Sequence, residues 1–220
     1  MILEGKTVNF LGDSITEGYG VSDMENCRYD NMIKNKCNLK AVYNFGISGT
    51  CIARQMAASE NTRYDLYFCG RVQELNPDAD ITVVFGGTND YGHGDAPFGK
   101  LTDKTPDSFC GAVDYLINAV KKLYPKTRLV FMTPARRCGD TLASSNPNKR
   151  EDAKPLIEYV KVIKEKCAEY GVPVLDLYNN LGLNPNDEKS REAYTVDGLH
   201  FNDDGHRKIA ECLIDFLQKL

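Results

Sequence analysis

Five short apolar segments constrain the fold of this chain more than any other feature. They are rich in Val, Ile and Phe, and their apolar residues show little alternation with polar ones. Such runs are typical of strands that are buried on both faces of a parallel sheet. The five segments are residues 7–11, 41–45, 81–85, 128–132 and 172–175.

Amphipathic helices are predicted between and after these strands. Residues 106–124, 151–170 and 204–220 each place apolar side chains at the i, i+3, i+4, i+7 spacing of a one-sided helix. Strands that alternate with helices predict the α/β class, with a parallel sheet, helices on both of its faces and right-handed connections. The chain has 220 residues and no linker-like segment. We therefore expect one domain over residues 1–220.

Composition excludes several classes of partner. The net charge of −4 leaves no basic footprint for nucleic acid. No apolar run approaches the roughly 20 residues of a membrane span, and the first residues lack the pattern of a signal peptide. Eight scattered cysteines without a C-x-x-C pair indicate reduced thiols rather than disulfides or a zinc site. These features predict a cytoplasmic protein with neither nucleic acid nor membrane as a partner.

Glycine and small polar residues follow each of the first three predicted strands. The segments are residues 12–14, 44–50 and 86–90, and two long loops, 86–105 and 134–149, follow the third and fourth strands. The carboxyl ends of parallel strands form the ligand crevice of open α/β folds. Taken singly, each segment also fits an ordinary turn or cap. The run from Ser14 to Glu17, for example, matches the S-x-x-E capping box of a helix start.

A fourth polar segment lies near the end of the chain. Asp197 and His200 are three residues apart, just before the last predicted helix. A carboxylate that holds one imidazole nitrogen leaves the other nitrogen free to act as a general base. Of the other two histidines, His206 is expected to be exposed on the last helix, and His93 lies in the long loop after Asn89 without a carboxylate at comparable spacing.

These four segments, in this order, resemble the four blocks of the SGNH hydrolases, also called the GDSL esterase/lipase family. The matching motifs are Gly-Asp-Ser near the start, Ser-Gly after the second strand, G-x-N-D after the third and D-x-x-H near the end. The resemblance extends from Gly12 to His200. It implies a flavodoxin-like three-layer α/β/α sandwich with a five-stranded parallel sheet, in agreement with the number of predicted strands.

The resemblance also implies a role for each matched residue. Ser14 corresponds to the nucleophile, His200 to its general base and Asp197 to the carboxylate that orients the imidazole. The backbone N–H groups of Ser14 and Gly49 and the side-chain amide of Asn89 correspond to the oxyanion hole. Acyl transfer by such a set of groups requires no metal and no cofactor.

Five further residues belong to these segments or to the long loops. Asp13 and Asp90 are expected to brace their loops by accepting backbone hydrogen bonds. Tyr91, His93 and Arg136 are candidate substrate contacts because they lie on the two long loops.

Other enzyme classes fit the sequence less well. Thr16 stands where the nucleophile elbow G-x-S-x-G requires glycine, and no G-K-[ST] of a phosphate-binding loop is present. Two remaining histidines are few for a dimetal phosphoesterase. An acyltransferase with the same triad and a non-catalytic binding module on the same fold stay open as alternatives. The polar loops favour a small acyl group, such as acetyl on a saccharide, so the expected partner is a small-molecule ester.

Overall fold

The computed structural model of the protein describes residues 1–144, 146, 149 and 152–220. In this part of the chain, five parallel strands form one sheet in the order β2-β1-β3-β4-β5. This is the strand order of flavodoxin-like folds, and the predicted fold class is confirmed. The strands are β1 (Thr7–Gly12), β2 (Ala41–Gly46), β3 (Ile81–Phe85), β4 (Arg128–Met132) and β5 (Val174–Leu175).

The helices that cover the sheet vary widely in length. They are α1 (Ser14–Glu17), α2 (Tyr29–Cys37), α3 (Phe68–Arg71), α4 (Thr88–Gly92), α5 (Phe109–Leu123), α6 (Leu156–Glu169), α7 (Leu177–Asn180), α8 (Glu188–Tyr194) and α9 (Asp203–Gln218). Short 3₁₀ turns occupy Thr62–Asp65 and Val72–Glu74. The helix α4 interrupts the stretch 86–105, which the sequence had predicted to be loop throughout.

The helix boundaries follow local capping chemistry. Ser108 accepts a hydrogen bond from the Gly111 N–H, so α5 begins three residues later than the apolar spacing predicts. Helix α6 begins directly after Pro155, because a proline disfavours helical geometry in the residue before it. Glu151, the predicted first residue of α6, lies outside the described residues, as do Ser145, Pro147 and Asn148 of the loop after β4.

The fifth strand is shorter than predicted. Residues 172–175 are apolar, but only Val174 and Leu175 pair with β4 as a strand. Pro173 accepts a hydrogen bond from the Phe131 N–H through its carbonyl at 3.0 Å. Proline has no N–H to donate in return, so the ladder starts one residue later.

Each face of the sheet carries its own apolar core. Leu11 of β1 packs into the core formed with α3, α5 and α6, whereas its neighbour Phe10 packs into the core formed with α2 and α9. Side chains of successive strand residues point to opposite faces, so one strand supplies both cores. The result is three layers, with helices on both sides of the sheet.

The strand register aligns the carboxyl ends of the first three strands. Gly12 at the end of β1 is paired with Gly46 of β2 and with Phe85 of β3. The chain turns from β1 to one side to form β2 and then crosses to the other side to form β3. A crevice is expected at this change of direction, outside the carboxyl ends of the strands.

His206 is buried, which corrects the expectation that it is exposed. Its side chain is 0% accessible, its ring stacks on Tyr29 at 5.8 Å, and its Nδ1 accepts a hydrogen bond from the Tyr29 N–H at 3.3 Å. Its position three residues before Ile209 places it on the buried stripe of α9. The helical spacing of the sequence could therefore have predicted that His206 is buried. Burial lowers the pKa of His206 to about 4, despite the nearby carboxylates of Asp30 and Asp203.

The buried His206 predicts an acid-sensitive fold. The unfolded chain binds a proton at His206 near pH 6.5, whereas the folded chain does so only near pH 4. Between these values the unfolded state holds more protons, so the contribution of His206 to stability falls as the pH falls, by on the order of 3 kcal/mol in total. The measurement is the free energy of unfolding in urea at several pH values, for the wild type and for His206→Gln.

The difference in the free energy of unfolding between the wild type and His206→Gln reports on His206 alone. Burial raises the pKa of Asp13 to about 7. A raised carboxyl pKa favours the folded state at low pH, which is the opposite slope, but Asp13 is present in both proteins and cancels. A difference in stability that stays constant from pH 7 to pH 4 would contradict the prediction.

Candidate active site

Ser14 is the first residue of α1 and is separated from the end of β1 by Asp13 alone. Asp13, and not Ser14, is the N-cap residue, because the Asp13 carboxylate accepts a hydrogen bond from the Ile15 N–H at 3.0 Å. The capping-box interpretation of the run from Ser14 to Glu17 is therefore wrong. With Asp13 as the cap, the hydroxyl of Ser14 is left to interact elsewhere. Its side chain is directed towards the loop before α9.

Ser14, His200 and Asp197 form one chain of hydrogen bonds. The Ser14 Oγ lies 3.0 Å from His200 Nε2, and His200 Nδ1 lies 2.6 Å from Asp197 Oδ2. The second carboxylate oxygen of Asp197 accepts the backbone N–H groups of Leu199 at 2.9 Å and His200 at 2.8 Å. The three-residue spacing of Asp197 and His200 thus closes a tight turn in which the carboxylate holds both the backbone and the ring.

The charge on Asp197 determines which imidazole nitrogen carries the proton. Partial burial alone would raise the pKa of Asp197, but hydrogen bonds from the His200 ring and from two backbone N–H groups lower it. An ionised carboxylate only accepts hydrogen bonds, so Nδ1 of His200 donates to it. The other nitrogen, Nε2, is then the acceptor that faces the hydroxyl of Ser14. This arrangement allows proton transfer from Ser14 to His200.

The loops after β2 and β3 lie beside each other at the same edge of the sheet. Gly49 has a φ of +78°, and a Cβ at this position would overlap the ring of Tyr64. Asn89 is buried in α4, and its side-chain amide donates to the carbonyl of Thr50 at 3.0 Å. The amide is therefore held against the residue that follows Gly49. It also has a second N–H with which to contact a ligand.

Asp90 holds the loop after β2 through two hydrogen bonds from the backbone of that loop. Its two carboxylate oxygens accept the backbone N–H groups of Ile52 and Ala53, each at 2.9 Å. Burial raises the pKa of Asp90, although these hydrogen bonds act in the opposite direction. The contacts of Asp90, like those of Asp13, agree with the expected bracing role.

Glu17 is a residue whose contacts the sequence did not predict. Its carboxylate accepts the N–H of Ser48 at 2.7 Å and also the Ser48 hydroxyl. The same side chain pairs with Arg63 at 2.7 Å. Glu17 therefore ties the helix that begins with Ser14 to the residue before Gly49. These partners are 31 and 46 residues away, so no local pattern could have identified them.

Two of the three predicted substrate contacts support the loop after β4. Tyr91 is buried, and its hydroxyl donates to the carbonyls of Gly139 at 2.7 Å and Leu142 at 3.0 Å. Arg136 forms an ion pair with the buried Asp140, with a shortest distance of 3.1 Å. Neither residue is part of the lining of the polar cleft beside Tyr64.

His93, unlike these two residues, lines this polar cleft. The cleft has a volume of about 820 Å³, and its lining residues are Gln55, Ala57, Ala58, Ser59, Glu60, Asn61, Tyr64, His93, Asp95 and Lys149. The rings of His93 and Tyr64 lie 5.1 Å apart. Because Tyr64 also contacts Gly49, this polar cleft borders the loop after β2. Another cleft lies at the amino ends of β4 and β5 and is lined by Lys121 and by residues 124–129 and 171–173.

Two other features are absent from the described residues. No group of three or more His, Cys, Asp and Glu side chains is arranged to hold a metal ion in residues 1–144, 146, 149 and 152–220. Over the same residues, no helix is both long and apolar enough to cross a membrane.

The sheet order and the groups at its carboxyl edge define a class of α/β hydrolytic enzymes, and comparison with known proteins identifies the family. The model of the GDSL-like lipase/acylhydrolase family matches residues 10–208, and the chain belongs to this family. Membership indicates an enzyme that hydrolyses ester bonds. The resemblance predicted from four short motifs is thereby confirmed.

Solved structures agree with this assignment. A protein from Lactobacillus plantarum is 31% identical, with 98% of each chain covered and a TM-score of 0.83. A GDSL-like lipase from Bacteroides ovatus is 20% identical, with 98% of this chain and 99% of that chain covered and a TM-score of 0.66. The lipase/acylhydrolase from Enterococcus faecalis is 20% identical, with coverages of 96% and 94% and a TM-score of 0.63. The last two show a shared fold only. Among curated proteins, none matches the sequence significantly.

Proposed function

We propose that the protein is a serine esterase that removes a small acyl group, such as acetyl, from a carbohydrate alcohol. One observation carries the proposal: the hydrogen-bonded series from Ser14 Oγ through the His200 ring to the Asp197 carboxylate. A serine hydroxyl is a weak nucleophile unless an adjacent base removes its proton. A binding module would have no use for a base directed at a hydroxyl.

From these positions the reaction proceeds in two steps, acylation of Ser14 and hydrolysis of the acyl-enzyme. As the Ser14 Oγ attacks the ester carbonyl carbon, His200 Nε2 takes the hydroxyl proton, and the carbonyl oxygen becomes an oxyanion. His200 then returns this proton to the leaving alcohol as the C–O bond breaks, which leaves an acyl-Ser14 ester. Water is deprotonated by His200 and attacks the acyl carbon. Ser14 departs with the proton, and the free acid is released.

The oxyanion would be stabilised by donors that are already in place. In this proposal the N–H groups of Ser14 and Gly49 and the amide of Asn89 point at the developing charge. Asn89 suits the task because its amide donates a hydrogen bond without any titrating charge. The contact with the Thr50 carbonyl limits its freedom, so little reorganisation is needed during the reaction.

The polar surroundings support a small acyl group and a hydroxyl-rich alcohol. The cleft next to the loop of Gly49 is lined by Ser, Asn, Gln and charged side chains rather than by a long apolar wall. We further propose a cytoplasmic location, because all eight cysteines are free thiols.

A serine-directed covalent probe tests the proposal. A fluorophosphonate is expected to add one phosphonyl group to the wild type, with the mass increase on the peptide that contains Ser14 and complete loss of p-nitrophenyl acetate hydrolysis. Ser14→Ala is expected to resist labelling, whereas Ser190→Ala, a matched change on α8, is expected to label as the wild type does. Labelling of Ser14→Ala at the wild-type rate would contradict the proposal.

Analysis of the reaction products separates a hydrolase from an acyltransferase. Acetylated saccharides are supplied with and without a second, unacetylated sugar, and the products are analysed by mass spectrometry. Release of acetate that is unchanged by the added sugar is the expected result. Transfer of acetyl to the added sugar in preference to water would assign the triad to an acyltransferase.

A further inference from the structure

We infer that Tyr19 forms the subsite for the alcohol part of the ester and receives one face of a sugar ring. The inference rests on the proposed function, because it uses the position at which the alcohol leaves. It assigns a role to the Gly18-Tyr19-Gly20 turn, which directly follows the helix of Ser14 and takes no part in the chemistry described above.

The chemistry fixes the side on which the alcohol lies. His200 Nε2 must donate its proton to the leaving oxygen, so this oxygen lies within hydrogen-bond reach of the imidazole. The carbonyl oxygen of the same ester lies instead at the donors of Gly49 and Asn89. Whatever stands next to His200 and is open to solvent therefore contacts the alcohol.

Tyr19 is the aromatic residue that stands next to His200. The centroids of the two rings are 4.4 Å apart, with 54° between their planes. Although it makes this contact, Tyr19 remains 55% exposed, and Val196, 53% exposed, continues the surface close to Gly20. The exposed part of the Tyr19 ring is therefore open to a group that is bound beside the imidazole.

The turn is constructed to hold this ring in place. Gly18 and Gly20 have φ values of +102° and +99°, which side chains other than glycine rarely adopt. The Tyr19 N–H donates to the Ser14 carbonyl at 2.9 Å. A Cβ at Gly20 would meet the Phe201 carbonyl oxygen at 2.6 Å, so the turn fits closely against the loop that follows His200.

A second anchor lies just beyond the turn. The N–H of Ser22 donates to the carboxylate of Asp203, the first residue of α9, at 2.8 Å, and its hydroxyl donates to the same carboxylate at 2.5 Å. The turn is thus fixed to both segments that flank it in space. A ring held in this way loses little conformational entropy when a ligand binds.

The chemistry of the ring indicates which alcohols fit. The face of an aromatic ring carries partial negative charge and attracts the C–H groups that a pyranose presents on its flatter face. An open-chain alcohol offers no such face. Tyr19 should therefore discriminate between esters that share an acyl group and differ only in the shape of the alcohol.

The test compares two acetate esters in three variants. The substrates are an acetylated methyl glucopyranoside and 2-methoxyethyl acetate, and the measured quantity is the ratio of variant to wild-type kcat/KM. Tyr19→Ala is expected to lower kcat/KM about 3- to 10-fold for the glucoside and less than about 2-fold for the open-chain ester. Tyr19→Phe is expected to hydrolyse both esters with the kcat/KM of the wild type. Tyr115→Ala, which removes another exposed tyrosine from α5, should change neither.

The possible outcomes separate the subsite from other roles. An equal loss on both esters, accompanied by a shifted pH profile, would show that Tyr19 acts by positioning His200 and would overturn the subsite. No loss on either ester, or a Tyr19→Phe variant as impaired as Tyr19→Ala, would overturn it as well. A wild-type protein that is not labelled at Ser14 would contradict the proposed function itself, a result independent of the variant ratios.

Discussion

Replacement of Ser14 or His200 by alanine is expected to lower kcat for p-nitrophenyl acetate by about 10⁴- to 10⁶-fold. The double variant should be no slower than either single one. The reason is that the two residues act as one unit: the hydroxyl at 3.0 Å from Nε2 is not activated without the base, and the base has no proton to take without the hydroxyl. The measurement is steady-state kcat for the three variants, with the double variant as the estimate of background hydrolysis.

A matched substitution controls for damage to the fold. His206→Gln replaces the other histidine of the same region, and it is expected to retain kcat near neutral pH because His206 lies in the core beside Tyr29. Each variant should also keep its melting temperature within a few degrees of the wild type. If Ser14→Ala and His200→Ala each lost less than tenfold, or if their losses multiplied in the double variant, the two residues would not form one catalytic unit.

The sheet could be predicted from the sequence because its strands are buried on both faces. All five residues of Ile81–Phe85 are buried, so the apolar run ends where the strand ends. The observed bounds of this strand equal the predicted ones. Where the prediction failed, single residues overrode the apolar pattern. Pro173 shortened β5, Pro155 set the start of α6, and Gly87, with its left-handed conformation, introduced α4 into a predicted loop.

The sequence predicts the residues of the candidate site better than it predicts the contacts between them. Ser14, Asn89 and His200 lie in motifs that can be recognised locally, because each follows a strand or precedes a helix at a fixed spacing. The contacts that hold these motifs together are distant in sequence. Glu17 reaches Ser48, and Asn89 reaches the Thr50 carbonyl, across 31 and 39 residues. Such pairs depend on the register of the strands and leave no trace in local spacing.

The role of Asn89 leads to the second large effect. Asn89→Ala is expected to lower kcat by about 10²- to 10³-fold while KM stays within a few-fold of the wild type. The oxyanion forms only as the tetrahedral intermediate develops, so the lost hydrogen bond contributes little to the binding of the ester itself. Asn89→Asp should be at least as slow, because a carboxylate places negative charge where negative charge develops and cannot donate a hydrogen bond.

The control must account for the contact that Asn89 makes with Thr50. Asn118→Ala removes an amide that also donates to a main-chain carbonyl, that of Asp114 at 2.9 Å, and it is expected to leave kcat unchanged. An alkyl boronic acid provides a second readout, since its tetrahedral adduct with Ser14 places an oxygen in the position of the oxyanion. Its inhibition constant should rise in Asn89→Ala in proportion to the loss in kcat. If kcat fell while boronate inhibition was unchanged, Asn89 would support the loop after β2 without stabilising the oxyanion, because only a donor to that oxygen can affect both quantities.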